Sequence, residues 1–170
     1  MNSEYGVFVV VNDIGLLIQG PAGIGKSTLA LELIERGHAL VADDIVHFST
    51  DTAQNRLIGQ SPDMLRGLLA VRDLGVLEIQ RLFPAARLAP SHPLDLIVEL
   101  DDSETSPLTD PFSAFKRRDL HGFAVSGLTL FAHPKRNLAV IVETAVKNYI
   151  LYRAGHDAGR VLTKRQQQYL

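Results

Sequence analysis

The 170-residue sequence has no cysteine. That excludes disulfides, thiol catalysis and cysteine-ligated zinc, and it fits a reducing compartment. Charge of one sign is also missing: 17 Lys and Arg stand against 19 Asp and Glu, a net charge of −2. This balance leaves no electrostatic footprint for nucleic acid or an anionic membrane surface, and neither is expected as a partner. No stretch of about 18 apolar residues runs uninterrupted, so no membrane-spanning helix is expected. Residues 1–20 include Glu4 and Asp13 and lack the basic start and apolar run of a signal peptide. A cytoplasmic location is therefore expected. There is no internal repeat, low-complexity tract or dividing linker, and the length suits one domain.

What the sequence does contain is a strand, a glycine-rich loop and a helix in succession. Gly20, Pro21, Ala22, Gly23, Ile24, Gly25, Lys26 and Ser27 form a complete G-x-x-x-x-G-K-S loop. The apolar run Gly15 to Gln19 before it reads as a buried strand, and Ser27 to Arg36 after it as a helix with Leu29, Ala30, Leu31, Leu33 and Ile34 apolar. In that setting the loop amides and the helix N-terminus can cradle phosphates. Lys26 would reach the β/γ-phosphates and the Ser27 hydroxyl would ligate Mg²⁺, so a nucleotide triphosphate with Mg²⁺ is the implied ligand.

Tyr5 to Val11 reads as a strand that pairs through an Asn12-Asp13 turn with Ile14 to Ile18. After the helix, Gly37 is a stop signal and His38 to Ala42 a strand, expected beside and parallel to the loop strand. Asp43-Asp44 then sit at its C-terminal end, the edge where open α/β sheets place ligands. One carboxylate could hold a water of the metal while the other accepts a proton from an attacking hydroxyl. The alternative for this pair is a solvated turn. Ser61-Pro62-Asp63 is expected to start a helix carrying Met64, Leu65 and Leu68. Residues 71–79 read as irregular, 81–90 as a loop, Leu94 to Leu100 as a strand, and Asp101 to Pro111 as a polar, disorder-prone loop. Phe112 to Asp119 shows helical spacing, Leu128 to Ala132 is a strand, and Asn137 to Arg153 is a long helix apolar nearly all round, buried or subunit-facing. The cations Lys116, Arg117, Arg118, Lys135 and Arg136 neutralise transferring phosphate, meet an acidic partner or form a solvated face. The six histidines lack metal-type spacing, and His38 reads as structural.

Three segments together resemble the catalytic domain of the bacterial HPr kinase/phosphorylases. They are Gly20 to Asp44; Leu65 to Phe83, similar to E-[IV]-R-G-L-G-[IV]-[IL]-x-V-x-x-L-F; and Pro134 to Asn148, similar to P-G-R-N-L-A-V-I-x-E-x-A-x-x-N. The resemblance runs from about residue 5 to 156, in order, without the family's usual N-terminal domain, as in shortened members. It implies an α/β P-loop kinase core of the phosphoenolpyruvate carboxykinase-like type over residues 1–156, with 157–170 a polar C-terminal tail. It further implies ATP-dependent phosphorylation of a serine on the phosphocarrier HPr of the sugar phosphotransferase system, the reverse phosphorolysis, and a homohexamer. By position, Lys26 is the phosphate residue, Ser27 and Asp43 lie at the metal, and Asp44 exchanges the proton of the acceptor serine. Departures are expected to matter: Tyr5 stands where the family has a catalytic His, Ala70 where it has a metal-binding Glu, and Asp73 where it has Gly. Arg72 keeps the signature Arg, and Arg117 or Arg118 is the nearest match to an active-site Arg. A related kinase with another acceptor, or a nucleotide-binding regulator without catalysis, are the alternatives.

Overall fold

The computed structural model describes residues 1–103 and 110–170. Strands β1 (Asn2–Tyr5), β2 (Val7–Val11) and β3 (Ile14–Gln19) open the chain. β2 and β3 pair antiparallel across Asn12 and Asp13, whose φ of 49° and 63° fit the tight two-residue turn read from the sequence. Gly6 separates β1 from β2 at φ 153°, and a Cβ there would lie 2.6 Å from the Ile18 carbonyl oxygen. At this point the chain passes from one sheet to another.

The main sheet has six strands in the order β11-β12-β10-β3-β2-β4. Its members after β3 are β4 (Ala39–Ala42), β10 (Leu96–Asp101), β11 (Lys116–Leu120) and β12 (Phe123–Phe131). A second sheet, β1-β5-β6-β9, adds β5 (Ile45–Asp51), β6 (Arg56–Gln60) and β9 (Ser91–Pro93). Helices α1 (Lys26–Glu35) and α3 (Leu138–Arg153) bury Leu29, Leu33, Ile34, Ala139, Val142 and Val146 with Val9, Leu16, Ile18 and Val98 of the main sheet. Phe8, Leu17, Val41 and Ile97 form a second core with Val46, Phe48 and Leu57 of the smaller sheet. The six-stranded sheet is thus covered by helices on one face and by a sheet on the other, and it presents the C-terminal ends of β3 and β4 to one edge. No helix among the described residues is long and apolar enough to cross a membrane.

Several elements differ from the sequence reading. β4 does not pair with β3: it pairs antiparallel with β2 (Phe8↔Ala42), so it runs in the direction of β3 but one strand further out. The hairpin already fills one edge of β3 and β10 fills the other (Leu96↔Leu16), leaving the crossover through α1 no nearer position. The helix expected after Ser61 is a single 3₁₀ turn, Asp63–Leu65. Gly67, at φ 74°, ends it, and Leu68–Val71 (β7) pairs instead with Gly75–Glu78 (β8) in an antiparallel hairpin. A short helix α2 (Ile79–Leu82) follows. The segment read as helical over 112–119 contributes strand β11, because His121 and Gly122, at φ 52° and 83°, turn it back against β12. Residues 157–170, read as a polar tail, include helix α4 (Ala158–Gln168), started by the Asp157 carboxylate accepting from the Gly159 amide at 2.9 Å. Helix α3 agrees with its expected span, with Asn137 as N-cap. One of its faces is buried, whereas Val140, Ile150, Leu151 and Tyr152 are exposed. The central part of the expected 101–111 loop, residues 104–109, lies outside the described residues.

Candidate active site

The loop after β3 owes its shape to three glycines. Gly20 (φ 152°) passes so close to β10 that a Cβ would sit 2.9 Å from the Leu100 carbonyl oxygen. Gly23 (φ 80°) and Gly25 (φ 105°) hold conformations that a side chain resists, and a Cβ on either would project into open space. Gly25 is the N-cap of α1 and no side chain caps that helix. The first-turn amides are therefore unclaimed by any cap, and a ten-residue helix adds its positive end to them. Lys26 Nζ donates to the carbonyls of Gly20 (2.8 Å) and Pro21 (3.1 Å), which holds the ammonium at the loop.

Asp43 directly follows β4, with 7% of its surface exposed. Its Oδ1 accepts from Ser27 Oγ at 2.8 Å, and its Oδ2 from the Ala70 amide at 3.0 Å. Both oxygens are satisfied, as a buried carboxylate requires. Asp44 differs in every respect. It is exposed, at φ 69°, in a tight turn closed by the Ile45 amide donating to the Asp43 carbonyl at 2.9 Å. Among the described residues no group bonds its carboxylate, while its backbone carbonyl accepts from the Gly6 amide at 3.0 Å. A strained residue whose carboxylate is left open beside a phosphate-type loop is the pattern of a functional position.

These groups face one cleft of about 670 Å³, lined by Gly23, Gly25, Lys26, Ser27 and Thr28 on the loop side and by Asp43 and Asp44 at its base. The opposite wall is the β7–β8 hairpin, with Leu68, Ala70, Arg72 and Val76, together with Leu65. Strand alternation explains that wall: Leu69 and Val71 point into the core, and the intervening residues face the cleft. The sequence reading did not find it, because it placed these residues in a helix and an irregular segment. The missed signal was a pair of short apolar runs, Leu68 to Val71 and Val76 to Leu77, on either side of the Arg72-Asp73 turn.

Lys26, Ser27, Asp43 and Asp44, separated on the chain, all line this cleft. Ala70 is in the cleft too, presenting an amide to Asp43 where a carboxylate was absent from the sequence. Tyr5 is 75% exposed at the end of β1, opposite Ile45 and next to the Gly6–Asp44 bond, but outside the cleft lining. Asp73 sits at the hairpin turn at φ 71°, which accounts for Gly in the related motif, and it does not line the cleft. Arg117 and Arg118 are likewise outside it. Arg118 donates to Glu99 (2.6 Å) and Thr129 (3.0 Å), and Arg136 to the Phe131 carbonyl (2.9 Å). His38 is structural: with Arg36 it grips Glu143 of α3, at 2.8 Å from His38 and 2.8 and 2.7 Å from Arg36. The Arg36 hydrogen bonds, helped by His38, hold the Glu143 carboxyl well below the usual carboxylate range, at about 2. This clamp joins the C-terminal end of α1 to α3. Among the described residues no cluster of three His, Cys, Asp or Glu side chains is arranged to hold a metal by itself.

Residues 1–166 match the family described as the HPr Serine kinase C-terminal domain. The chain belongs to that family. An HPr kinase/phosphorylase of Neisseria meningitidis is 42% identical over 170 residues, covering 98% of this chain and 53% of the relative. One from Bordetella avium is 44% identical over 168 residues, covering 95% and 53%. One from Caldicellulosiruptor bescii is 34% identical over 175 residues, covering 99% and 54%. The chain thus spans about half the length of these relatives. Among solved structures, the Hpr(Ser) kinase/phosphatase from Coxiella burnetii superposes with a TM-score of 0.86 at 32% identity, over 95% of this chain and 98% of that one. The fold of this HPr kinase family domain is therefore the α/β P-loop type read from the sequence.

Proposed function

We propose that this chain is an ATP- and Mg²⁺-dependent protein kinase that phosphorylates a serine of the HPr phosphocarrier, with residues 1–156 as its catalytic unit. The observation that carries the reading is the meeting in one cleft of an uncapped helix N-terminus, the Ser27–Asp43 pair and the exposed Asp44 carboxylate. The donor set fits Mg²⁺ brought in on a nucleotide. Mg²⁺ takes one or two protein oxygens and fills the rest of its octahedron with water and phosphate, which suits Ser27 and Asp43 without a preformed protein cage. The open space where Cβ atoms of Gly23 and Gly25 would stand suits phosphate oxygens close to the backbone.

When bound, Mg·ATP supplies the γ-phosphoryl group and the metal charge that neutralises it. Gly20, Pro21, Ala22, Gly23, Ile24 and Gly25 form the cradle; Pro21 has no N–H and the Ile24 amide donates to the Pro21 carbonyl at 3.3 Å, so Gly23 and Gly25 lend their amides with those of Lys26 and Ser27. Lys26, oriented by the Gly20 and Pro21 carbonyls, adds a fixed positive charge. Ser27 and Asp43 hold the metal. Asp44 accepts the proton of the attacking serine hydroxyl in the forward direction and returns it in phosphorolysis by inorganic phosphate. Aligning reactants and bearing charge are most of what a phosphoryl transfer asks of a protein. Forward transfer rests on groups present in the cleft. The reverse reaction is the weaker half, because Tyr5 and Ala70 replace a His and a Glu of the family pattern.

A homohexamer acting in the cytoplasm, without nucleic-acid or membrane partners, completes the reading. It is tested by incubating the purified protein with ATP, Mg²⁺ and HPr. Phosphoserine on HPr is expected, and its absence at every nucleotide concentration would remove the proposal. Tyr5 and Ala70 favour one second reading, a kinase of the same chemistry with another acceptor; labelling of a different substrate with HPr untouched would select it.

A further inference from the structure

The far wall of the cleft packs through Leu69 and Val71 on the core it shares with α1, and among the described residues one side chain makes its polar link to the phosphate side. The β7–β8 hairpin is a sheet of its own, paired to neither larger sheet. Leu69 and Val71 anchor its inner face in the core, while its outer face fronts the cleft. The polar link across the cleft is Asp43: one oxygen takes the Ser27 hydroxyl and the other takes the Ala70 amide. A single buried carboxylate therefore touches both the residue that would bind a cation and the backbone of the opposing wall.

We infer that Asp43, besides holding the cation with Ser27, couples occupancy of that site to the placement of the β7–β8 wall, an inference that rests on the nucleotide reading above. The physical basis is competition within one carboxylate. With only hydroxyl and amide donors around it, the charge of Asp43 is shared between its two bonds, and hydrogen bonds to a charged acceptor are the strong ones. A divalent cation at Ser27 draws that charge toward Oδ1 and weakens Oδ2 as an acceptor for Ala70. The hairpin then loses its polar tether while its apolar anchor remains. Arg72 and Val76, on the cleft-facing side, move with it. The two sides of the cleft thus respond to one another through a bond, Asp43–Ala70, that takes no part in the chemistry.

The chain has no tryptophan, so one placed on the hairpin reports on it alone. Leu74, 58% exposed at the hairpin turn and outside the cleft lining, is the position for it. In Leu74→Trp, a non-hydrolysable ATP analogue with Mg²⁺ should change the fluorescence, and the same analogue with EDTA should not. Adding Ala70→Pro removes the donor and leaves both aspartates in place. The Mg²⁺-dependent change should then vanish, while calorimetry still detects the analogue binding. An unchanged signal in the double variant would overturn the coupling. Should Ala70→Pro not fold, amide exchange at Ala70 in the unaltered protein decides: Mg²⁺ with the analogue is expected to speed it roughly tenfold, the loosening of a charge-assisted bond. No change while the analogue binds would overturn the inference. Failure of the analogue to bind at all is a different result: it removes the nucleotide reading, and the coupling with it.

Discussion

Gly25→Ala separates what the phosphate loop does for stability from what it does for binding. At φ 105° the residue lies where an L side chain is strained, and a Cβ there meets no atom within 4 Å. The cost to the folded state is therefore backbone strain without steric overlap, about 1–3 kcal/mol. In a chain of this size that lowers Tm by roughly 2–4 °C per kcal/mol. Relief comes by rotating Gly25, which caps α1 and whose carbonyl accepts from the Leu29 amide at 2.9 Å, so the first-turn amides turn away from the cleft. Losing one charge-assisted hydrogen bond, about 1.5–3 kcal/mol, weakens nucleotide binding roughly 10- to 100-fold. The assay is thermal unfolding with and without an Mg·ATP analogue. At a concentration about 100 times Kd the unaltered protein gains ~2.7 kcal/mol from the ligand, and the variant should gain only about 0.4–1.4 kcal/mol. Gly155→Ala is the control: it has φ 95° and equally open space, outside the cleft lining, so it should lose comparable stability and keep the full ligand increment. If Gly25→Ala also keeps it, the loop does not cradle phosphate.

Three further outcomes are expected. Asp44→Asn should leave nucleotide affinity intact and lower phosphoryl transfer by roughly two or more orders of magnitude; retained transfer would mean another base acts. Glu143, held at about 2 by Arg36 and His38, contributes stability that is complete above the ordinary carboxylate range and lost as pH falls toward 2. Glu143→Gln should therefore be less stable than the parent above about pH 5, with the gap narrowing on acidification. A gap that does not vary with pH in denaturant titrations would refute the clamp. Gly15→Ala should destabilise at or beyond the upper end of the ~1–3 kcal/mol typical of overpacking, because its Cβ would sit 1.9 Å from the Pro93 carbonyl oxygen; unchanged unfolding would contradict this packing.

The phosphate loop was legible from sequence because its residues carry local requirements: glycine for positive φ, a strand before and a helix after. The same holds for the Asn12-Asp13 hairpin and for α3. Where the reading failed, distant partners decided. β4 pairs with β2 and not β3 because the opening hairpin returns to occupy that edge, which no property of residues 38–42 reveals. Leu65 to Leu68 carry helical spacing, yet Gly67 at positive φ and the β8 partner make residues 68–71 a strand. Of the cleft, Lys26, Ser27, Asp43 and Asp44 were found as side chains with recognisable chemistry. The contribution of Ala70 escaped because it is an amide, and a backbone N–H leaves no trace in residue identity.

The central claim is transfer of phosphate to a protein serine by the groups of this one cleft. Mass spectrometry of HPr after incubation with ATP, Mg²⁺ and this protein tests it most directly. The expected result is a single phosphoserine, present with the unaltered chain and lost with Asp44→Asn. HPr left unmodified by a protein that binds Mg·ATP would contradict it.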